Sequence, residues 1–66
     1  MHAAISGALL RQARLQRDWS QEGLCRGICA VSYLSKIEQG EVEASGEILR
    51  QLFARLSLPW YDQELQ

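Results

Sequence analysis

Residues 31–40 read "VSYLSKIEQG", and the spacing of their apolar side chains decides the fold class. At about 100° per residue, Ala30, Tyr33, Leu34 and Ile37 fall on one arc of a helix. Ser32, Ser35, Lys36 and Gln39 fall on the opposite arc, with Glu38 at the border. The first arc has to bury against something. The second carries small donors and one cation, which suits a surface that reads a partner and equally suits an ordinary solvated face. Gly40 stops the helix.

Upstream, Ser20 is a good N-cap for a short second helix, "QEGLCR", with Glu22 near its positive end. Gly23 stands where a Glu or Gln would close a capping box. Gly27 can take the left-handed conformation that ends a helix sharply, and "ICA" turns the chain into the third helix, Val31 to Gln39. A first helix is expected from Ala3 or Ser6 to Arg17. Leu9, Leu10 and Ala13 form its apolar stripe, with Arg11, Arg14 and Arg17 repeating beside it at every third position. Asp18 and Trp19 then break the pattern.

Downstream, "EVEA" is a connecting loop and Ser45 caps a fourth helix over about Gly46 to Leu56. Its buried stripe is Ile48, Leu49, Leu52, Phe53 and Leu56, with Glu47 in the first turn and Arg55 in the last to match the helix dipole. Pro59 blocks continuation, and "WYDQEL" is expected to form one last short helix, for which Trp60 and Tyr61 supply packing or an interface. No run alternates with period two. The expectation is all-α: five short helices in one domain over residues 1–66.

Sixty-six residues lie near the lower limit for a self-supporting core, and the hydrophobic fraction of 47% is high enough to build one. No apolar stretch is long enough to span a bilayer, so no membrane partner is expected. The start, "MHAAISGALLRQAR", lacks the charged and apolar regions of a secretory signal. A cytoplasmic location is the natural expectation. Net charge is −1, a weak overall attraction for polyanions, but its distribution is uneven. Arg11, Arg14, Arg17 and Arg26 face only Asp18 and Glu22 in the first half, whereas Glu41, Glu43, Glu47, Asp62 and Glu64 crowd the second.

Cys25 and Cys29 lie four apart, and with His2 near the terminus they do not make a four-ligand zinc set, so no metal or other cofactor is expected. Spacing alone permits a disulfide, which a reducing cytosol disfavours; the simpler expectation is two small buried thiols. No glycine-rich phosphate loop, no nucleophile placed near His2 and no convincing acid pair occurs, so no catalytic activity is expected.

A second helix, a glycine-bearing turn and an amphipathic third helix with a small polar outer face describe a helix-turn-helix. In that geometry the second helix lies across a DNA backbone, where its free N–H groups and Gln21 can hold phosphate oxygens. The third helix enters the major groove with Ser32 and Lys36 aimed at base edges. Ser32 and Ser35 allow close approach, Lys36 can donate to guanine, Gln39 can reach a phosphate or an adenine, and Val31 can touch a thymine methyl.

The ordered elements "LLRQAR", "RDWSQEGL", "SYLSKIEQG" and "ASGEILRQLFARLSLP" resemble the Cro/cI (XRE-type) helix-turn-helix family over about Gly7 to Pro59. The stretch "LCRGICAVSYLSKIEQG" is one residue shorter than the family's usual form, and this shorter variant most resembles the N-terminal domains of Gram-positive peptide-pheromone regulators, the RRNPP group. The resemblance implies a lambda-repressor-like bundle. It implies a structural salt bridge between Arg14 and Glu38, and base-reading positions at Val31, Ser32 and Lys36, with Ser35 also facing the groove. It places phosphate contacts at Gln21, Gln39 and Gly40.

Partners implied are double-stranded DNA, a second copy of the chain, and a peptide-sensing helical-repeat domain following this one, so that 66 residues are expected to be the N-terminal part of a longer regulator. One departure stands out: "EVEA" carries two carboxylates where family members often have basic residues near the phosphates. The acidic second half, Glu41, Glu43, Glu47, Asp62 and Glu64, motivates a rival, a helix-turn-helix protein-interaction module of the antitoxin or anti-repressor kind.

Overall fold

The computed structural model describes residues 3–58, which form four α-helices and no strand. These are α1 (Ala3–Gln16), α2 (Gln21–Cys25), α3 (Val31–Glu38) and α4 (Gly46–Arg55). The fifth helix expected over "WYDQEL", with Trp60 and Tyr61, lies outside the described residues, as does His2.

Local chemistry sets the helix ends. Ser20 and Ser45 adopt extended backbone and accept hydrogen bonds from the N–H groups of Gly23 at 3.0 Å and Ile48 at 3.2 Å. Each thereby satisfies a donor that the first helical turn leaves without a partner. Three of the four helices leave by one backbone device, a left-handed residue whose neighbours fold back on the last turn. At α1 the left-handed residue is Asp18 (φ 57°), with Asp18 N–H donating to Leu15 O and Trp19 N–H to Arg14 O. At α3 it is Gly40 (φ 76°), and at α4 it is Ser57 (φ 59°), with the same pair of bonds each time.

Helix α2 ends differently. Arg26 (φ −58°, ψ 125°) and Gly27 (φ 80°) are the central residues of a type II turn closed by Ile28 N–H on Cys25 O at 2.8 Å. Only glycine adopts the third position of such a turn without strain. Gly27 is thus left-handed as expected, inside the turn rather than at the helix's own exit.

The core is Leu10, Ala13, Leu24, Cys25, Leu34, Ile37, Ala44, Leu49, Leu52, Phe53 and Leu56, with Ile28, Cys29, Tyr33, Val42, Ile48 and Leu58 packed at its edge. Two expected core positions are not in it. Leu9 is 40% exposed, and the inward face of α1 is instead Ser6, Gly7, Leu10, Ala13 and Arg14. The backbone of α1 passes so close to α3 that a Cβ at Gly7 would overlap the Ile37 carbonyl. Contact at Gly7 rotates Leu9 outward, because neighbours in a helix lie about 100° apart. Ala30 is also exposed: it is the N-cap of α3, outside the helix whose arc it was expected to share. Cys25 is buried, Cys29 is only partly so, and both are free thiols.

Candidate nucleic-acid interface

Arg14 and Glu38 meet between α1 and α3, 8% and 7% exposed. Arg14 Nε donates to Glu38 Oε2 at 2.8 Å and Arg14 Nη2 to Glu38 Oε1 at 3.0 Å, a two-pronged charge-assisted pair. The third guanidinium nitrogen donates to the Trp19 carbonyl at 2.8 Å. Gln21, the first residue of α2, donates through Nε2 to Glu38 Oε1 at 3.1 Å. One carboxylate therefore ties the end of α1, the start of α2 and the end of α3 into a single node. Removing one member of a buried pair leaves the other uncompensated, which is far more costly than loss of a surface pair.

Opposite this node, α3 is open. Val31, Ser32, Lys36 and Gln39 are exposed, while Tyr33 and Ser35 are half-buried. Among the described residues, neither the Ser32 nor the Lys36 side chain has a hydrogen-bond partner, whereas Gln39 Nε2 donates to Ser35 Oγ at 3.2 Å. Ala30 supplies no side-chain cap, so the first-turn N–H groups of α3 are left to solvent or a partner.

The expected phosphate contacts are differently placed. Gln21 is half-buried with one amide N–H committed to Glu38 and a second N–H on the same nitrogen. The Gly40 N–H donates to Ile37 O at 3.0 Å, so in this structure what Gly40 offers a backbone is room rather than a free donor. Cations surround the region unevenly. Arg11 and Arg50 are exposed; Arg17 folds back on the Ala13 carbonyl at 3.0 Å. Arg26 makes a loose exposed contact with Glu22 at 4.0 Å. Glu41, Glu43 and Glu47 are all exposed in and after the loop that leaves α3.

Sequence reasoning did not anticipate the role of Arg55. Its guanidinium reaches from α4 to the carbonyls of Leu24, at 3.2 Å, and Arg26, capping the C-terminal end of α2. Its position in the last turn of α4 suggested only dipole matching within its own helix. Nothing in local spacing signals a contact 31 residues away.

Among the described residues no cluster of ligating side chains could hold a metal ion, and no helix is long and apolar enough to cross a membrane. No curated protein and no solved structure gives a significant match to the chain. The family described as Helix-turn-helix matches residues 10–62, which takes in the second half of α1 and all of α2, α3 and α4. The chain therefore belongs to the Cro/cI-type helix-turn-helix family, a family of DNA-binding regulatory domains.

Proposed function

We propose that the chain is the DNA-binding domain of a bacterial transcriptional regulator, which reads double-stranded DNA as a dimer with α3 in the major groove. The observation that carries this is the asymmetry of α3: its inner side is fixed by Glu38, while the exposed Ser32 and Lys36 have no side-chain partner among the described residues. Lys36 reads a guanine edge, Ser32 and Ser35 permit close approach, and Val31 meets a thymine methyl. Gln21, Gln39 and the open backbone at Gly40 track the phosphates.

One or two cations per half-site give weak binding, because affinity follows the number of phosphates neutralised. Two copies on half-sites about one helical turn apart supply the rest. The RRNPP resemblance extends this to a cytoplasmic regulator whose following helical-repeat domain senses a peptide and holds the dimer.

The test is selection from a randomised duplex library at low salt, with the domain fused to a dimerising module. Enrichment of an inverted repeat, lost when Ser32 and Lys36 are both replaced by alanine, is the expected outcome. No enrichment by a folded domain overturns it. The exposed Glu41, Glu43 and Glu47 beside α3 favour the second reading, a protein-binding module. Salt separates the two: DNA binding falls steeply with ionic strength, and an apolar protein interface does not.

A further inference from the structure

The two cysteines sit on either side of the turn that gives the helix-turn-helix its shape. Cys25 is the last residue of α2 and 1% exposed; Cys29 is one residue before the N-cap of α3. The Cys25 carbonyl accepts from both Ile28 N–H at 2.8 Å and Cys29 N–H at 3.0 Å. The second bond closes the same i to i+4 span as a helical turn. Backbone closed by such a bond holds its two end residues close, within reach of the roughly 4.4–6.8 Å Cα separation that disulfides bridge.

We propose that Cys25 and Cys29 form a redox-sensitive staple across this turn, closed to an intramolecular disulfide by peroxide and reopened by thiol reductants. Cys29, the more accessible thiol, reacts first. Its thiolate attacks one peroxide oxygen, the O–O bond breaks, and the departing hydroxide takes a proton to leave as water. The Cys25 thiolate then attacks the sulfenic sulfur of Cys29, an S–S bond replaces the S–O bond, and a second water leaves. Two thiols lose two electrons and two protons, and one hydrogen peroxide becomes two waters. Burial, and then the neighbouring Cys25, push the Cys29 thiol above its ordinary range. Cys29 is thereby kept largely as the thiol, so it stays reduced until oxidant is plentiful.

Closure has a mechanical consequence. An S–S bond of about 2.05 Å is much shorter than contact between two thiols, so the sulfurs must draw together. Cys25 is locked in the core beside Leu24, so Cys29 yields, and Ala30 and Val31 follow it. The uncapped first turn of α3 moves with them. The effect on DNA rests on the function proposed above; the staple itself does not.

The test treats the reduced chain with hydrogen peroxide and reads intact mass, backbone amide NMR shifts and affinity for a selected duplex. The expected product is a monomer lighter by two hydrogens, restored by dithiothreitol, with the Val31 and Ser32 amides shifted and duplex affinity weakened about tenfold. Cys29→Ser is expected to keep the fold and abolish all three changes. Addition of oxygen without loss of hydrogen, a disulfide-linked dimer, or two thiols still free would overturn the staple. So would a disulfide that leaves the Val31 and Ser32 amides unmoved. If the reduced chain binds no duplex, the DNA reading fails, while mass and amide shifts still decide the staple.

Discussion

The two sides of α3 are built to opposite rules. On the inner side Glu38 accepts three hydrogen bonds from two residues on two other segments, and Leu34 and Ile37 are closed in the core. On the outer side, three positions of the same helix carry Val31, Ser32 and Lys36 exposed. A side chain with a satisfied partner has one conformation, and a side chain without one keeps the freedom to take a partner from outside. Stability thus lies on one side, and in the proposed function recognition lies on the other, of a helix only eight residues long.

Breaking the inner side comes first, because it carries the largest effect. Glu38→Ala strands the buried Arg14 guanidinium and is expected to remove about 3–5 kcal/mol, a large share of a small domain's stability. Urea denaturation measures it. Replacing both partners with apolar residues, Arg14→Met with Glu38→Leu, is expected to recover much of the loss, since no charge is then left buried. Recovery in the double variant separates an uncompensated charge from simple loss of packing.

Gly7→Ala attacks the same side through the backbone. Its Cβ would meet the Ile37 carbonyl, so α1 must shift, at a cost of about 2–3 kcal/mol read as a lowered melting temperature. An unchanged melting temperature would mean that the two helices do not approach as closely as described.

The outer side calls for the opposite signature. Lys36→Ala is expected to leave the melting temperature unchanged while weakening specific DNA binding by about 1–3 kcal/mol and relaxing preference at one base pair. Fluorescence anisotropy against singly substituted duplexes measures both. Equal weakening on every duplex would make Lys36 a phosphate contact.

Smallest is Ser57→Gly, remote from both sides. It removes the left-handed strain at the end of α4, worth about 1–2 kcal/mol, against a glycine entropy cost of about 0.5–1 kcal/mol. A net gain of about 0.5 kcal/mol is expected in denaturant melts, with DNA binding unchanged.

How far these features were legible depends on the range of the interaction that fixes them. Ser20, Ser45 and Gly40 act on their own turn, and their spacing marked α2, α3 and α4 to within a residue or two. The polar arc of α3 was legible for the same reason, because periodicity needs no partner. Leu9 was misplaced because two adjacent leucines compete for the inward direction, and the choice is made by Gly7 against a carbonyl 30 residues away. Asp18 and Ser57 gave no glycine signal for their left-handed backbone. The pairing of Arg14 with Glu38 was reached only through resemblance, since an arginine in a basic row looks solvated until its partner is known. The Gln21 bond to Glu38 and the grip of Arg55 on α2 are tertiary and left no mark in local sequence.

The repeated exits of α1, α3 and α4 also bear on how the chain finds its fold. Each helix closes itself with bonds reaching back no more than five residues, so the chain changes direction before any distant element has arrived. A topology assembled from such self-terminating pieces needs little long-range search, and helical domains of low contact order refold in about microseconds to milliseconds. A domain that rebuilds this quickly leaves its apolar core open to solvent only briefly after each unfolding event.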